Sequence, residues 1–185
     1  MLTKTSRPPV NGIDLDGLDE HVAKIVADAG CGRANFRVTT EWKGQTRSET
    51  TIESYTLGGE EVQRNFIIVA DEPMELFGTN TAPNPQELLM AAVNSCMTVG
   101  YVAQAAVRGI TLDDCRIEME GELDLRGFLG LDESVPPGYR RLSYTVTLEG
   151  DGSREQYEEM HQAVMATSPN YFNLAQPVQM VGRLA

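Results

Sequence analysis

The chain has 185 residues, 41% of them apolar, and this length fits one domain with a sizeable core better than two. Its 27 acidic and 15 basic residues give a formal net charge of −12, and lysine and arginine form no run long enough to make a cationic patch. This balance argues against nucleic acid or an anionic membrane as a partner, because both attract basic surfaces.

The apolar stretches and the first ten residues are the basis for a prediction of where in the cell the protein is located. The longest apolar stretches, 66–70 and 88–93, fall short of the roughly 20 residues that span a bilayer, so we expect no membrane passage. Residues 1–10 contain Pro8-Pro9 where a secretory signal would have an apolar core. We therefore expect a cytoplasmic protein.

The cysteines and histidines indicate neither a disulfide framework nor a metal site. Cys31, Cys96 and Cys115 form no CxxC pair and no even set, which suits a reducing compartment and leaves at least one free thiol. His21 and His161 have no cysteine or carboxylate at ligand spacing, so no metal site is predicted. We expect His161 to be a half-buried residue of a helix and His21 to face solvent.

The first half of the chain predicts one helix and then strands. Apolar residues at near-helical spacing predict a helix over 16–29. Apolar and polar residues then alternate over 35–42, which is typical of a strand. Two more strands are predicted over 49–56 and 63–69, separated by the turn signal Gly58-Gly59, so we expect an antiparallel meander.

A long helix is predicted next. Asn84 is placed as its N-cap and Pro85 as its first residue, and small apolar residues continue to about Val107. Arg108-Gly109 supplies a typical helix end. A helix that is apolar nearly all round belongs inside a protein or a dimer.

Two strands and a loop follow the long helix. The alternation over 117–125 predicts a strand with one wet face, and 142–148 alternates in the same way. The loop between them, 126–141, combines Arg126 with apolar residues. This composition favours either a substrate-lining role or a contact with a partner subunit.

The last elements complete an α+β pattern. A capping box at Ser153 and Gln156 predicts a helix that ends before Pro169, and residues 178–184 predict a final strand. The order strands, buried helix, strands, helix, strand indicates an α+β fold. The long helix needs more cover than one small sheet provides, and dimerisation is the economical solution.

The segment from Asn84 to Met97 reads NPQELLMAAVNSCM. It resembles a helix of the OsmC/Ohr family, which comprises osmotically inducible and organic hydroperoxide resistance proteins. In that family the helix begins with Asn-Pro and carries a peroxidatic cysteine. The resemblance extends over 35–185 and leaves 1–34 as an N-terminal helical extension. It implies an antiparallel sheet wrapped around a long buried central helix. It also implies an intertwined homodimer with two active sites at the subunit interface.

The resemblance also implies a chemistry and the residues that carry it. Enzymes of this family reduce organic hydroperoxides or hydrogen peroxide with a thiolate, which an arginine and a glutamate orient. Cys96 matches the peroxidatic cysteine. Arg47, between the first two strands, is the best match to the arginine, and Arg37 and Lys43 compete for that assignment.

Two positions depart from the family pattern. Gln86 stands where the family has its glutamate, and Glu87 is displaced by one place. A glutamine hydrogen-bonds an arginine but cannot form the charged pair that would hold it. Ser168 stands where the family has a resolving cysteine, so the family's internal route for closing the sulfenic acid is missing.

The leading hypothesis is a thiol-dependent reductase of organic hydroperoxides, with Cys96 as nucleophile and Arg47 stabilising its thiolate. Gln86 and Glu87 would position the arginine or the peroxide, and an external thiol would regenerate the enzyme without a cofactor. The alternative is a non-catalytic protein of the same fold that binds an apolar small molecule or a protein partner at the dimer groove. A third hypothesis is a redox sensor in which Cys96 forms a mixed disulfide.

Overall fold

The computed structural model describes residues 6–184, so the first five positions of the N-terminal segment and the last residue lie outside it. The described residues form two units, and each is treated by itself. Unit 1 contains 6–9 and 13–89, and unit 2 contains 10–12 and 90–184. The expected division between an extension and a domain at 34/35 stays a prediction.

Unit 1 begins with a helix, as predicted. Helix α1 comprises Leu15–Ala27, and the carboxylate of Asp14 caps it by accepting from backbone N–H groups of the first turn. The helix ends two residues earlier than predicted. The reason is Asp28, whose side chain accepts from the N–H of Gly30 and starts a 3-10 turn over Ala29–Gly32.

The strands of unit 1 are β1 (Ala34–Phe36), β2 (Thr39–Trp42), β3 (Ser48–Leu57) and β4 (Glu60–Ala70). β3 is central: β1 and β2 pair antiparallel with its two ends, and β4 pairs antiparallel along its length. The predicted meander is therefore confirmed. The strand predicted over 35–42 is in two pieces, because 37 and 38 leave the ladder.

The long helix has the predicted bounds. Helix α2 comprises Pro85–Val107. At its start the Asn84 side chain accepts from the Glu87 N–H at 2.9 Å, and the Glu87 carboxylate accepts from the Asn84 N–H at 2.8 Å. At its end Gly109 has a φ of +70°, a left-handed conformation that closes the helix and that other residues adopt at a steric cost.

The elements of unit 2 after α2 are β5 (Leu112–Gly121), α3 (Leu125–Phe128), β6 (Leu142–Gly150), α4 (Arg154–Thr167) and α5 (Pro169–Ala175). β5 and β6 form an antiparallel pair from Leu112 opposite Gly150 to Gly121 opposite Leu142. The capping box of α4 is present, with the Ser153 and Gln156 side chains each accepting from the other's backbone. The α+β class is confirmed.

Two expectations for unit 2 are corrected, and two short helices, α3 and α5, were missed. The strand predicted over 117–125 ends at Gly121, because Asp124 caps the helical turn α3. Helix α5 was not predicted. The final strand over 178–184 is wrong, because those residues have no regular structure and pair with no strand of the described chain; Val181 is 86% exposed.

The core of unit 2 lies where α2 packs against α4 and the two-stranded sheet. Its fully or nearly fully buried apolar members are Val93, Met97, Tyr101, Ala105, Ile110, Met160 and Val164. Gly100 allows the close approach of the two helices, because a side-chain carbon there would meet Val164 at 3.2 Å. One face of α2 is therefore fixed in rotation against α4.

Helix α2 also has the length and composition of a membrane span, with 23 residues and a mean hydropathy of 1.3 over an 18-residue stretch, and no other helix in residues 6–184 does. The core helix of a water-soluble protein passes the same test. Met97, Tyr101 and Ala105 are fully buried among side chains of unit 2, which favours the core-helix interpretation.

A buried carboxylate organises the loop that leads into α2. Asp71, only 1% exposed, accepts hydrogen bonds from the side chains of Thr46 (2.8 Å), Thr79 (2.6 Å) and Thr81 (2.9 Å), and from backbone N–H groups of the same loop. The Thr79 hydroxyl bond is the largest cause that lowers the pKa of Asp71 far below its ordinary value, and the Thr46 and Thr81 bonds act in the same direction. The loop between β4 and α2 is thus closed around one negative charge.

We predict that Asp71→Asn makes the stability of the protein less sensitive to acid. Because folding depresses the pKa of Asp71, its contribution is fully present above the unfolded value of about 3.9 and is lost as pH falls below it towards the folded value. The urea midpoint, measured from pH 7 to pH 2, should be lower for the variant at neutral pH and should converge with wild type at the acid end. The exposed Asp19→Asn is the matched control, and parallel curves for the Asp71 variant and wild type would contradict the assignment.

Candidate active site

Cys96 lies on α2 next to the core face of unit 2. It is half-buried, and it precedes Met97, which is fully buried in the core. The rotation of α2 that buries Val93 and Met97 therefore also sets the direction of the thiol. The position of the Cys96 sulfur is therefore set by the packing of a helix and not by a loop.

The contact of Cys96 is with Ser168, at the corner between α4 and α5. The Ser168 hydroxyl donates to the Cys96 sulfur at 3.4 Å. Ser168 is 5% exposed, its N–H closes α4 on Val164, and its side chain accepts from the Tyr171 N–H to start α5. One residue thus ends α4 through its backbone N–H, and its side chain begins α5 and contacts the thiol.

A second contact holds the same corner to α2. The Asn170 side chain donates to the backbone carbonyl of Ala92 at 2.9 Å, one helical turn before Cys96. Two hydrogen bonds therefore tie this corner to α2, one from Ser168 to the Cys96 sulfur and one from Asn170 to the Ala92 carbonyl. The Ser168 hydroxyl therefore presents its proton directly to the Cys96 sulfur.

The predicted arginine, Arg47, lies in unit 1 just before β3. Its guanidinium donates to the carboxylate of Glu49 at 2.8 Å, and the arginine side chain is 38% exposed. Of the competing cations, Lys43 pairs with Glu41 at 2.6 Å, and Arg37 lies exposed between β1 and β2. The assignment of Arg47 to Cys96 joins two units and stays a prediction.

Gln86 and Glu87 lie in the first turn of α2. They precede Cys96 by about three helical turns, or roughly 15 Å of rise along the axis of that helix. The carboxylate of Glu87 is occupied by the capping box with Asn84. The structure therefore gives Glu87 a local role at the helix start, and its predicted role towards an arginine stays untested.

The other two thiols differ from Cys96. Cys115 packs from β5 against the core of unit 2, and burial first, then the charge of Asp114, raise its pKa, so it stays protonated and weakly nucleophilic. Cys31 lies in the 3-10 turn of unit 1, 3.9 Å from a carboxylate oxygen of Asp28. The Ser168 bond distinguishes Cys96 from both.

Sequence reasoning identified Ser168 only as the place of a missing cysteine. It missed the hydrogen bond to Cys96, which joins residues 72 positions apart in the chain. A signal for the corner itself was present, since Ser168-Pro169 is a typical N-cap and first residue of a helix. The expected environment of His161 is confirmed: it is half-buried, and its Nδ1 lies 2.5 Å from the Tyr101 hydroxyl.

Comparison with known protein families identifies the class to which this chain belongs. The model of the OsmC-like protein family matches residues 78–181, which is 104 of the 185 residues and more than half of the chain. The chain therefore belongs to the OsmC-like family, as the resemblance of the helix 84–97 predicted. The matched range includes α2, Cys96 and Ser168.

Solved structures share the fold at low sequence identity. One is a proposed osmotic stress induced and detoxification response protein from Psychrobacter arcticus, with 16% identity and a TM-score of 0.56, covering 72% of this chain and 84% of that one. An OsmC-like protein from Mycoplasma pneumoniae has 16% identity and a TM-score of 0.54, covering 74% and 91%. An OsmC-like protein of unknown function from Vibrio cholerae has 14% identity and a TM-score of 0.52, covering 74% and 91%. No curated protein matches the chain.

We predict that Ser168→Ala slows alkylation of Cys96 by iodoacetamide at pH 7 by roughly two- to tenfold, the equivalent of one lost hydrogen bond. The rate is measured by peptide mass spectrometry, with Cys31 and Cys115 as internal references. Ser168→Thr keeps a hydroxyl and a helix cap and should restore most of the rate. A rate equal to or faster than wild type in Ser168→Ala would show that the bond does not activate the sulfur.

Proposed function

We propose that this protein is a thiol-dependent reductase of organic hydroperoxides in which Cys96 is the nucleophile. The observation that carries the proposal is the half-buried Cys96 sulfur, fixed on α2 and accepting a hydrogen bond from Ser168 at 3.4 Å. Membership of the OsmC-like family, and the name of the Psychrobacter protein as a detoxification response protein, support it.

The chemical step is a displacement on oxygen. The Cys96 thiolate attacks one peroxide oxygen, the O–O bond breaks, and the alkoxide takes a proton and leaves as an alcohol. Cys96 is left as a sulfenic acid, and the peroxide has been reduced by two electrons. Attack by an external thiol on that sulfenic acid releases water and forms a mixed disulfide. A second external thiol then restores the Cys96 thiol and leaves as a disulfide.

The external reductant follows from what surrounds Cys96. The hydroxyl that donates a hydrogen bond to its sulfur belongs to Ser168, which cannot form a disulfide. Cys115 is held in the core of unit 2 with a raised pKa, so it is a poor attacking thiol. These two observations support a regenerating thiol that comes from solution.

The proposed cation is Arg47, and its pair with Glu49 would orient the guanidinium as it approaches the thiolate. Gln86, as an uncharged acceptor, would hydrogen-bond the arginine or the peroxide. Glu87 is proposed to act through the start of α2, since its carboxylate is part of the cap. No cofactor is required, because thiols supply both electrons.

The proposed working unit is a cytoplasmic homodimer. Apolar side chains of α2 that do not face the core stay exposed in one chain, Val99 at 70% and Val107 at 54%. On β4, Phe66 is 53% and Ile67 62% exposed. A second copy that covers these surfaces would remove them from water, in agreement with the family's intertwined dimer.

We predict that one equivalent of cumene hydroperoxide converts Cys96 to a sulfenic acid within seconds to minutes. The adduct with a sulfenic-acid trap is read by intact mass and peptide mapping. Cys115→Ala is the matched control and should react like wild type, whereas Cys96→Ser should give no adduct. Unmodified Cys96 after prolonged exposure would refute the peroxidase and would favour a non-catalytic protein that binds a ligand at the dimer groove.

The same assay tests the reductant and the cation. In Ser168→Cys the introduced thiol lies beside the nucleophile, so peroxide should give an internal disulfide, seen as a loss of two hydrogens and of trapping. Arg47→Met should slow trapping by more than tenfold, while Arg37→Met should not. If Arg37→Met slowed trapping more than Arg47→Met, Arg37 would be the cation that stabilises the thiolate.

A homodimer should have a mass of about 41 kDa by light scattering, twice the 20.3 kDa of the chain. Val99→Glu, which puts a charge on the exposed face of α2, should lower that mass towards one chain. Val26→Glu on α1, where the valine is 82% exposed, is the matched control and should leave it unchanged. A wild-type mass of about 20 kDa would reject the dimer.

A further inference from the structure

Unit 2 contains a cavity of about 550 Å³ that is separate from the contact between Cys96 and Ser168. Its lining comes from α2, β6 and α4, and consists of Tyr101, Tyr144, Val146, Leu148, Tyr157 and His161. The volume lies within the range of roughly 300–1,000 Å³ that small-molecule sites occupy. Neither Cys96 nor Ser168 is among the lining residues.

The polar groups of the cavity are a phenol and an imidazole. Tyr101 is fully buried, and its hydroxyl lies 2.5 Å from Nδ1 of His161. Burial raises the pKa of Tyr101, so the phenol keeps its proton, and in the Nε2–H tautomer of His161 it donates that proton to Nδ1. The ring proton of His161 is then on Nε2, which makes no hydrogen bond to residues 6–184. A donor is therefore available to a ligand.

The rest of the lining fits a flat and uncharged molecule. Val146 and Leu148 are apolar, and the six lining residues include no lysine, arginine or carboxylate. The ring of His161 stacks on Tyr101 at 6.1 Å with an interplanar angle of 9°, and the Tyr144 ring lies 6.1 Å from it at 50°. Aromatic faces and edges of this kind pack well against another aromatic ring.

We propose that this cavity binds a small uncharged aromatic molecule with a hydrogen-bond acceptor, such as a carbonyl oxygen, which accepts from Nε2 of His161. The aromatic ring of the ligand lies among Tyr144, Val146 and Leu148. The site does not depend on the reactivity of Cys96. The cavity is thus a second ligand-binding site, apart from the site at Cys96, on the side of α2 that faces α4.

The test uses 4-fluoroacetophenone as probe and fluorine NMR of the full-length protein. Wild type should give saturable line broadening, and fluorobenzene, which has no carbonyl, should bind several-fold more weakly. Val146→Trp fills the cavity and should weaken binding by at least tenfold. Val26→Trp, the same substitution at a site 82% exposed on α1, is the matched control and should bind like wild type.

Circular dichroism shows whether Val146→Trp folds. His161→Phe is a second test of the proposal that does not depend on that variant. It keeps an aromatic ring but removes the donor, so the two probes should bind about equally. Equal binding of 4-fluoroacetophenone to wild type and folded Val146→Trp would overturn the proposal. A preference for the carbonyl that persists in His161→Phe, or no saturable binding to wild type, would overturn it as well.

Discussion

The rest of unit 2 depends on the packing of one face of α2 against α4 and the sheet of β5 and β6. Met97 and Tyr101 are fully buried on that face, and Gly100 between them lets Val164 of α4 approach closely. A close-packed interior of this kind resists rotation of a helix, because large side chains would have to leave their places. The direction of the Cys96 thiol is therefore a consequence of core packing.

The corner at Ser168 shows how a helix boundary becomes part of a site. A residue that caps two helices cannot move without loosening both, so its hydroxyl is held in one place. That hydroxyl meets the sulfur of Cys96 at 3.4 Å. The second anchor, Asn170 on the carbonyl of Ala92, ties the corner to the helix that carries the thiol. The thiol and its donor are thus positioned by three helices without a flexible loop.

The sequence predicted the elements whose signals are local. Helix α2 has an N-cap followed by proline at one end and a glycine with positive φ at the other, and its bounds were predicted correctly. The strand expected over 178–184 failed because pairing requires a neighbouring edge, which local alternation does not reveal. The Ser168 bond to Cys96 was missed for a similar reason, since it depends on how α4 and α5 return to α2. The resemblance of the helix 84–97 pointed to Cys96, whose role as nucleophile stays a proposal, and the structure adds a hydrogen bond from Ser168 to its sulfur.

The oxygen of Ser168 is a buried, hydrogen-bonding group beside Cys96, and it cannot form a disulfide with that cysteine. Reactions between groups held together gain effective concentrations that a dissolved thiol cannot match. In the proposed cycle, attack on the peroxide is therefore organised by the protein, whereas regeneration depends on the concentration of thiol in solution. Turnover should then rise in proportion to reductant long after the peroxide step is saturated, and the sulfenic acid should be the form of Cys96 that accumulates.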